Sequence, residues 1–495
     1  MWTEILLSLI VLVLLACVSS LKKPSGIPPG LWGWPFIGVL PSSDIPLGNQ
    51  VSELRKKYGD IISWRMGSQL FIFFCDYKMI KTVFTRAETA DRPPYYSFKA
   101  FTEFFEAGVG TTNGRVWVNN RRFALQHLKQ LGMGKTHLGE AIKQEAQILV
   151  KDFKKQLNRP VDLPWSINVA VLNVIWQMVA GIRYDINDEK IIRLHKLLND
   201  ALAAFDGPVM WLDIYPNLVN FLPFWLRTKL GMNSIYENAK IIRTFIQEEV
   251  LDQHVKNLDR DNPKDYIDSY LVEMEKRKND PESTMSMDDL TYGLIDFFGD
   301  GTSTVSATTK WTVFFLAKYP EIQKRVQKEI DSVVPRDELP SLEHRDRLPY
   351  VDAFIHEVMR VSSVAPLGGP HANYAEMELD GYRIPKGSVL IGNLEACHKD
   401  PRYWEKPNEF YPEHFLDENG KFYVRKEGFM PFGTGRRLCI GEALARMELF
   451  YFITALIQNF TFSPPDGEKL SEEKSTAERI FAFPSSFKMM IAERT

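Results

Sequence analysis

The sequence predicts a mainly α protein: one large helical domain with small antiparallel β-sheets, preceded by an N-terminal membrane anchor. Three observations carry this reading. Apolar residues recur at helical spacing through several long stretches of the second half. Runs with the alternation expected of strands are short and few. The first 21 residues hold a charge-free apolar run that is not repeated later.

In chain order, residues 5–21 ("ILLSLIVLVLLACVSSL") form 17 residues without a charge. As a helix this run is about 25 Å long, near the short limit for a membrane span. Glu4 precedes it, and Lys22 and Lys23 follow. That order favours a cytoplasmic C-terminal side; a cleaved signal peptide carries its charge on the other flank. Residues 1–21 are thus expected to be an uncleaved transmembrane signal-anchor. Residues 22–45 are rich in Pro and Gly, which break regular structure and stiffen a tether. Residues 46–495 show no second linker and no internal repeat, and are expected to form one domain.

Within that domain, "DIISWRMG", "QLFIFFC" and "MELDGYRIPKGSVLIGN" read as strands, the last turning at Asp380-Gly381 and again at Gly387. Residues 294–320, 318–334 and 348–361 read as helices, the second with Pro320 in its first turn. A further helix follows Gly441, where Leu444, Met447, Leu449, Phe450 and Phe452 share helical spacing.

Composition excludes some classes. Of 495 residues, 45% are hydrophobic and 25% charged, as in ordinary globular proteins. The net charge of −3 gives no whole-chain attraction to nucleic acid. Cys17, Cys75, Cys397 and Cys439 form no C-x-x-C pair, so a disulfide framework is not expected and a reducing compartment fits.

The chemistry concentrates in "PFGTGRRLCIGEALARMELFYF". Cys439 precedes a helix N-terminus, where the partial positive charge and unpartnered N–H groups favour a thiolate. Gly433, Gly435 and Gly441 let backbone approach a flat ligand, and Arg436 and Arg437 suit its anionic groups. An isolated cysteine in a loop is more often inert. Here, however, Phe432, Gly435, Arg437, Cys439 and Gly441 fill every fixed position of F-x-x-G-x-R-x-C-x-G. This is the haem-ligand signature of the cytochrome P-450 monooxygenases. The chain resembles that family from tether to C-terminus, and most resembles its animal microsomal, family-2-like branch.

The resemblance implies a haem-thiolate fold and a set of roles. Cys439 would ligate the iron of haem b (heme b, iron protoporphyrin IX), with Phe432 shielding the sulfur. Thr304 matches the threonine that helps deliver protons to bound O2, and Gly301 the position that opens the helix beside the iron. Two positions depart from the pattern: Ser303 stands where an acid is usual, and Asp300 where a small residue is usual. Asp300 and Thr304 share a helix face at i, i+4, and Asp296 continues the stripe. Asp300 is therefore expected to take over the proton-relay role or to bind a polar substrate group. Trp117 and Arg121 (W-x-x-x-R), His371 after a proline, and Arg437 match residues that hold the haem propionates. Glu357, Arg360 and His414 match a buried structural set that supports the cysteine loop.

Residues 95–110, 203–211, 364–367 and 481–483 map to substrate-contact segments, and their apolar, aromatic character suits a lipophilic substrate. Residues 215–232 either dip into a membrane surface or form a buried connection. No flavin or nicotinamide fingerprint is present. Electrons are thus expected from an NADPH-dependent cytochrome P-450 reductase, with cytochrome b5 as a second partner, docking near Arg122, Lys129 and Arg436. The expected activity is insertion of one atom of O2 into a lipophilic organic substrate (a steroid, terpenoid, fatty acid or xenobiotic) at the endoplasmic reticulum membrane. Alternatives are a reductase-independent haem-thiolate isomerase or dehydratase, motivated by Ser303, and a non-catalytic haem- or lipid-binding protein.

Overall fold

The computed structural model describes all residues except 1–21, 43, 134–135, 206, 424–426, 473, 475–480 and 495. The expected anchor lies outside the described residues. Among these, no helix is long and apolar enough to cross a membrane.

The architecture is built around the Met287–Lys318 helix, 32 residues long and so about 48 Å from end to end. Ser286 caps its start by accepting from the Asp289 N–H at 3.0 Å, and Asp288 and Asp289 complement the helix dipole. Most of its residues are buried, because three helices pack around it: Ser166–Ala180, Pro349–Ser362 and Glu442–Asn459. Ser166–Ala180 is apolar on every side and almost wholly buried, as a helix enclosed by others must be. Its Trp176 ring stacks on Phe298 with centroids 4.0 Å apart. Pro320 opens the next helix, Pro320–Val333, at the position where its missing N–H costs nothing.

The expected strands form. β1 (Gly30–Leu31), β2 (Ile61–Met66), β3 (Gln69–Phe74), β4 (His371–Ala372) and β7 (Val389–Gly392) make a sheet in the order β1-β2-β3-β7-β4. β5 (Met377–Leu379) and β6 (Tyr382–Ile384) form a hairpin whose turn holds Asp380 and Gly381 at φ 50° and 76°. β8 (Phe460–Ser463) and β9 (Met490–Glu493) close a third sheet.

Two expectations need correction. The largest sheet is mixed and not antiparallel: β1 runs parallel to β2, and β3 parallel to β7. Parallel neighbours need a long crossover, and here most of the helical body lies between β3 and β7, which no local pattern reveals. The Pro/Gly-rich stretch is also more than a tether. From Gly30 it joins the sheet, and Val39 N–H donates to Arg65 O at 2.8 Å, so this part is docked on the body.

Candidate active site

Cys439 ends the loop that joins the 430s to the Glu442–Asn459 helix, as the sequence predicts. Its backbone N–H donates to Phe432 O at 3.0 Å, closing the loop on itself. Gly435 is required for a reason the sequence does not display. It sits at φ 76°, and a Cβ there would lie 2.0 Å from the Phe84 carbonyl oxygen. Gly433 has a positive φ but open space around it. The Cys439 side chain has exposed surface, yet protein crowds it closely, so its sulfur is recessed. Burial pushes the thiol up to about 11, partly offset by a hydrogen bond from the Gly441 N–H. Desolvation thus opposes the thiolate that the helix terminus favours, and a bound cation would offset it.

Beside this loop lies a cluster of positive charge. Arg437 donates from Nε to Ala90 O at 2.8 Å and from Nη2 to Thr112 O at 2.6 Å. Its guanidinium carbon lies 3.9 Å from the centroid of the Trp117 ring. Burial, and then Arg92, lower its affinity for its proton, to a pKa of about 8. A guanidinium stays protonated in proteins, so this depression marks positive charge that Asp91 only partly offsets. Arg121, one turn beyond Trp117 on the Gly114–Gln130 helix, donates to Leu438 O. His371 is buried, stacks on Phe84 (centroids 3.9 Å, planes 3° apart) and donates from Nδ1 to Thr89 O at 2.8 Å. That commitment leaves Nε2 as the ring nitrogen available to a ligand. Burial and then Arg92 hold the imidazole neutral, its pKa lowered to about 3. Trp117 Nε1 is buried and has no hydrogen-bond partner among the described residues.

Sequence reasoning missed Arg92. It donates from Nε to Gly110 O at 3.0 Å and from Nη1 to Pro370 O at 2.7 Å, within electrostatic reach of Arg121, Arg437 and His371. In "ADRPPYY" it has no periodicity, and its significance is entirely tertiary.

The central helix faces this cluster with Asp296 and Asp300, both within electrostatic reach of Arg92. Thr304 Oγ1 donates to the Asp300 carbonyl at 2.9 Å. The Asp300 carboxylate is close enough to raise the Cys439 thiol electrostatically. Burial lifts Asp300 to about 6, against the opposing effect of Arg92. Asp296, one turn earlier, accepts from Val109 N–H at 2.7 Å and Gly110 N–H at 2.9 Å, and burial and then Asp300 raise it to about 7. Residues 108–113 are thus held between Asp296 on the helix and Arg92 and Arg437 on the other side. Gly301 departs from expectation. A Cβ there would point at Ile175 Cδ1, 2.7 Å away, so this glycine serves the approach of the Ser166–Ala180 helix.

Glu357 and Arg360 are fully buried and joined by two hydrogen bonds of 2.8 and 2.6 Å. Arg360 also donates to the carbonyls of His398, Pro407 and Glu409, while Glu357 accepts from Tyr411 N–H at 2.7 Å, with His414 Nδ1 at 3.3 Å. His398 passes this scaffold on: its Nε2 accepts from Met430 N–H at 3.1 Å, two residues before Phe432.

The apolar segments meet in pairs. Phe98 and Phe101 pack on Phe205 with centroids 6.2 and 5.8 Å away, joining residues 95–110 to 203–211. Ala482 N–H donates to Val364 O at 2.8 Å, joining 481–483 to 364–367. Residues 215–232 are not a buried connection: Phe221 is 78% and Trp225 67% exposed.

Haem fits these residues. Its carboxylates match the only partly compensated guanidiniums and the Trp117 N–H, which has no partner among the described residues, and its iron matches a sulfur whose thiolate a cation would favour. A family model described as cytochrome P450 matches residues 28–489. Cytochrome P450 2L1 of Panulirus argus is 47% identical over 484 residues, 96% of each chain. Cytochrome P450 2J2 of Homo sapiens is 36% identical over 471 residues, 94% of this chain and 92% of its own. The site's geometry and these likenesses agree: the chain belongs to the cytochrome P450 family and is a haem monooxygenase.

Proposed function

We propose that the protein inserts one atom of O2 into a lipophilic substrate, reducing the other to water with electrons from NADPH delivered by a flavoprotein reductase. The observation that carries this is the grouping of Cys439 with Arg121 and Arg92 on one side and Asp300, one turn before Thr304, on the other. Cys439 ligates the iron of haem b, and Arg92, Trp117, Arg121, His371 and Arg437 hold its propionates. Bound haem supplies oxygen activation, and a cysteine thiolate favours O–O cleavage. Thr304, with Asp300 one turn before it, guides protons into the cavity. Phe432, whose carbonyl accepts the Cys439 N–H, shields the sulfur. Glu357, Arg360 and His414 fix the loop and take no part in the chemistry.

The lining of Phe98, Phe101 and Phe205 supports a lipophilic substrate. Exposed Trp34 and Phe36 on one segment, and Phe221 and Trp225 on another, offer apolar surface to lipid. The two segments adjoin, since Ile37 O accepts from Tyr215 Oη. With residues 1–21 as an anchor, this surface supports a location on the endoplasmic reticulum membrane. Arg122, Lys129 and Arg436 are exposed and form a docking patch for reductase and cytochrome b5. Reconstitution with reductase, NADPH and isotopically labelled O2 tests the reading. Label in the product, absent without NADPH, supports it; product formed without reductase contradicts it.

A further inference from the structure

Two of the expected substrate-contact segments, 364–367 and 481–483, are held by one residue that belongs to neither. Glu395 lies in the short helix Leu394–His398. Its backbone N–H donates to Pro366 O at 3.0 Å, so it grips the first segment directly. Its side chain is buried, and Oε1 accepts from Lys474 Nζ at 2.7 Å and from Lys399 Nζ at 2.8 Å. Lys474 in turn pairs with Pro484 in an antiparallel bridge, one residue beyond the second segment. Burial alone would raise the Glu395 carboxyl; Lys474 and then Lys399 reverse this and hold it down at about 2. The carboxylate is thus charged at neutral pH. It also abuts the first segment: a Cβ at Gly48 would lie 3.8 Å from Leu367 Cδ2 and 3.9 Å from Glu395 Oε2, so both side chains border one turn of the Leu47–Tyr58 helix.

The two segments meet at Ala482. Its N–H donates to Val364 O, and its carbonyl accepts from Trp311 Nε1 on the central helix, both at 2.8 Å. One attachment fixes a strand's position and leaves it free to pivot; a second fixes its angle. Pro484 lies two residues on, about 7 Å along an extended chain, and the charge-assisted bond from Lys474 to Glu395 supplies that second attachment. We propose that Glu395 is a positioning residue for substrate: through Pro366 and Lys474 it sets the angle of the 481–483 segment against the 364–367 segment, and so the shape the two present to a ligand. Lys399 shares the same carboxylate oxygen but belongs to neither segment, so it adds charge without positioning. This inference rests on the haem-monooxygenase reading and on its assignment of both segments to substrate contact.

The test titrates ferric holoenzyme with imidazole and with 4-phenylimidazole, reading each affinity from the Soret shift. Both bind haem iron through nitrogen, but only the second carries a phenyl ring to meet the surrounding protein. The ratio of the two affinities therefore reports the shape of the site whatever the natural substrate is. Glu395→Gln and Lys474→Gln should each move this ratio in the same direction by about fivefold or more, the scale of losing one or two apolar contacts to the ring. The double variant should match either single one, as two ends of one contact must. Lys474→Arg and Lys399→Gln should keep the wild-type ratio. A ratio unchanged in Lys474→Gln, whose side chain is only partly buried and whose loss the fold should survive, would overturn the inference even where Glu395→Gln fails to fold. So would shifts in opposite directions, or a fall in thermal midpoint with the ratio unmoved, which marks a merely structural pair. A carbon monoxide difference spectrum of the same wild-type preparation separates the two failures. A thiolate-type band with unmoved ratios overturns only this inference, whereas absence of the band overturns the haem reading and this inference with it.

Discussion

The Arg437 guanidinium lies over the Trp117 ring at 3.9 Å, while the indole Nε1–H of the same tryptophan is buried without a partner among the described residues. One face of the ring thus steadies a cation, and the ring edge holds a donor in reserve, both beside the cysteine loop.

Trp117→Phe keeps the ring under Arg437 and removes only the N–H. A hydrogen bond to a charged group contributes about 1.5–3 kcal/mol. Haem loss should therefore accelerate by about 10- to 100-fold, measured by transfer to an apo-globin acceptor, with far-UV circular dichroism unchanged.

Glu357→Gln leaves Arg360 buried without its counter-charge. Breaking such a pair costs about 3–5 kcal/mol. The denaturation midpoint of the haem-bound protein should fall sharply. Arg325→Gln, which removes a half-exposed partner of Glu413, should change it by less than about 1 kcal/mol.

The two glycines of the site should respond in opposite ways. Gly435→Ala forces a Cβ to 2.0 Å from Phe84 O at φ 76°, with backbone on both sides and nothing able to give way. Haem incorporation should be lost. Gly301→Ala meets only the tip of Ile175, and helix propensity favours alanine by about 1 kcal/mol. Its thermal midpoint should stay within a few degrees of the wild type.

His398 gives a pH dependence with a definite sign. Burial, and then Arg360, lower its pKa from 6.5 to about 3, and its Nε2 accepts from Met430 N–H only when unprotonated. The unfolded chain therefore takes up the proton first as pH falls. The contribution of His398 to stability is complete above pH 6.5 and is lost progressively towards pH 3, by at most about 1.4 kcal/mol per pH unit. Denaturant midpoints measured from neutral to mildly acidic pH should fall less steeply in His398→Gln than in the wild type.

What the sequence made legible was local. Helical spacing marked Pro320–Val333 and Pro349–Ser362 to within a residue or two, and the start of Glu442–Asn459. The motif spacing singled out Cys439, Trp117, Arg121 and Arg437, which the fold brings together. What stayed hidden depends on contacts between distant segments. Arg92 matters because the fold sets it beside Arg437, and the pairing of β3 with β7 depends on the intervening helices. The resemblance alone assigned Gly301 an opening beside the iron, and its close approach to Ile175 depends on a residue of another helix that no local pattern shows. Asp296 was visible as part of a stripe, but its hold on the Val109 and Gly110 amides was not.

The most direct test of the account is the carbon monoxide difference spectrum of the dithionite-reduced protein, compared with that of Cys439→Ser. The account predicts the long-wavelength Soret band of thiolate-ligated ferrous haem in the wild type and its loss in the variant. A folded, haem-supplemented wild type without that band, or a variant that retains it, would contradict the assignment of Cys439 and the reading built upon it.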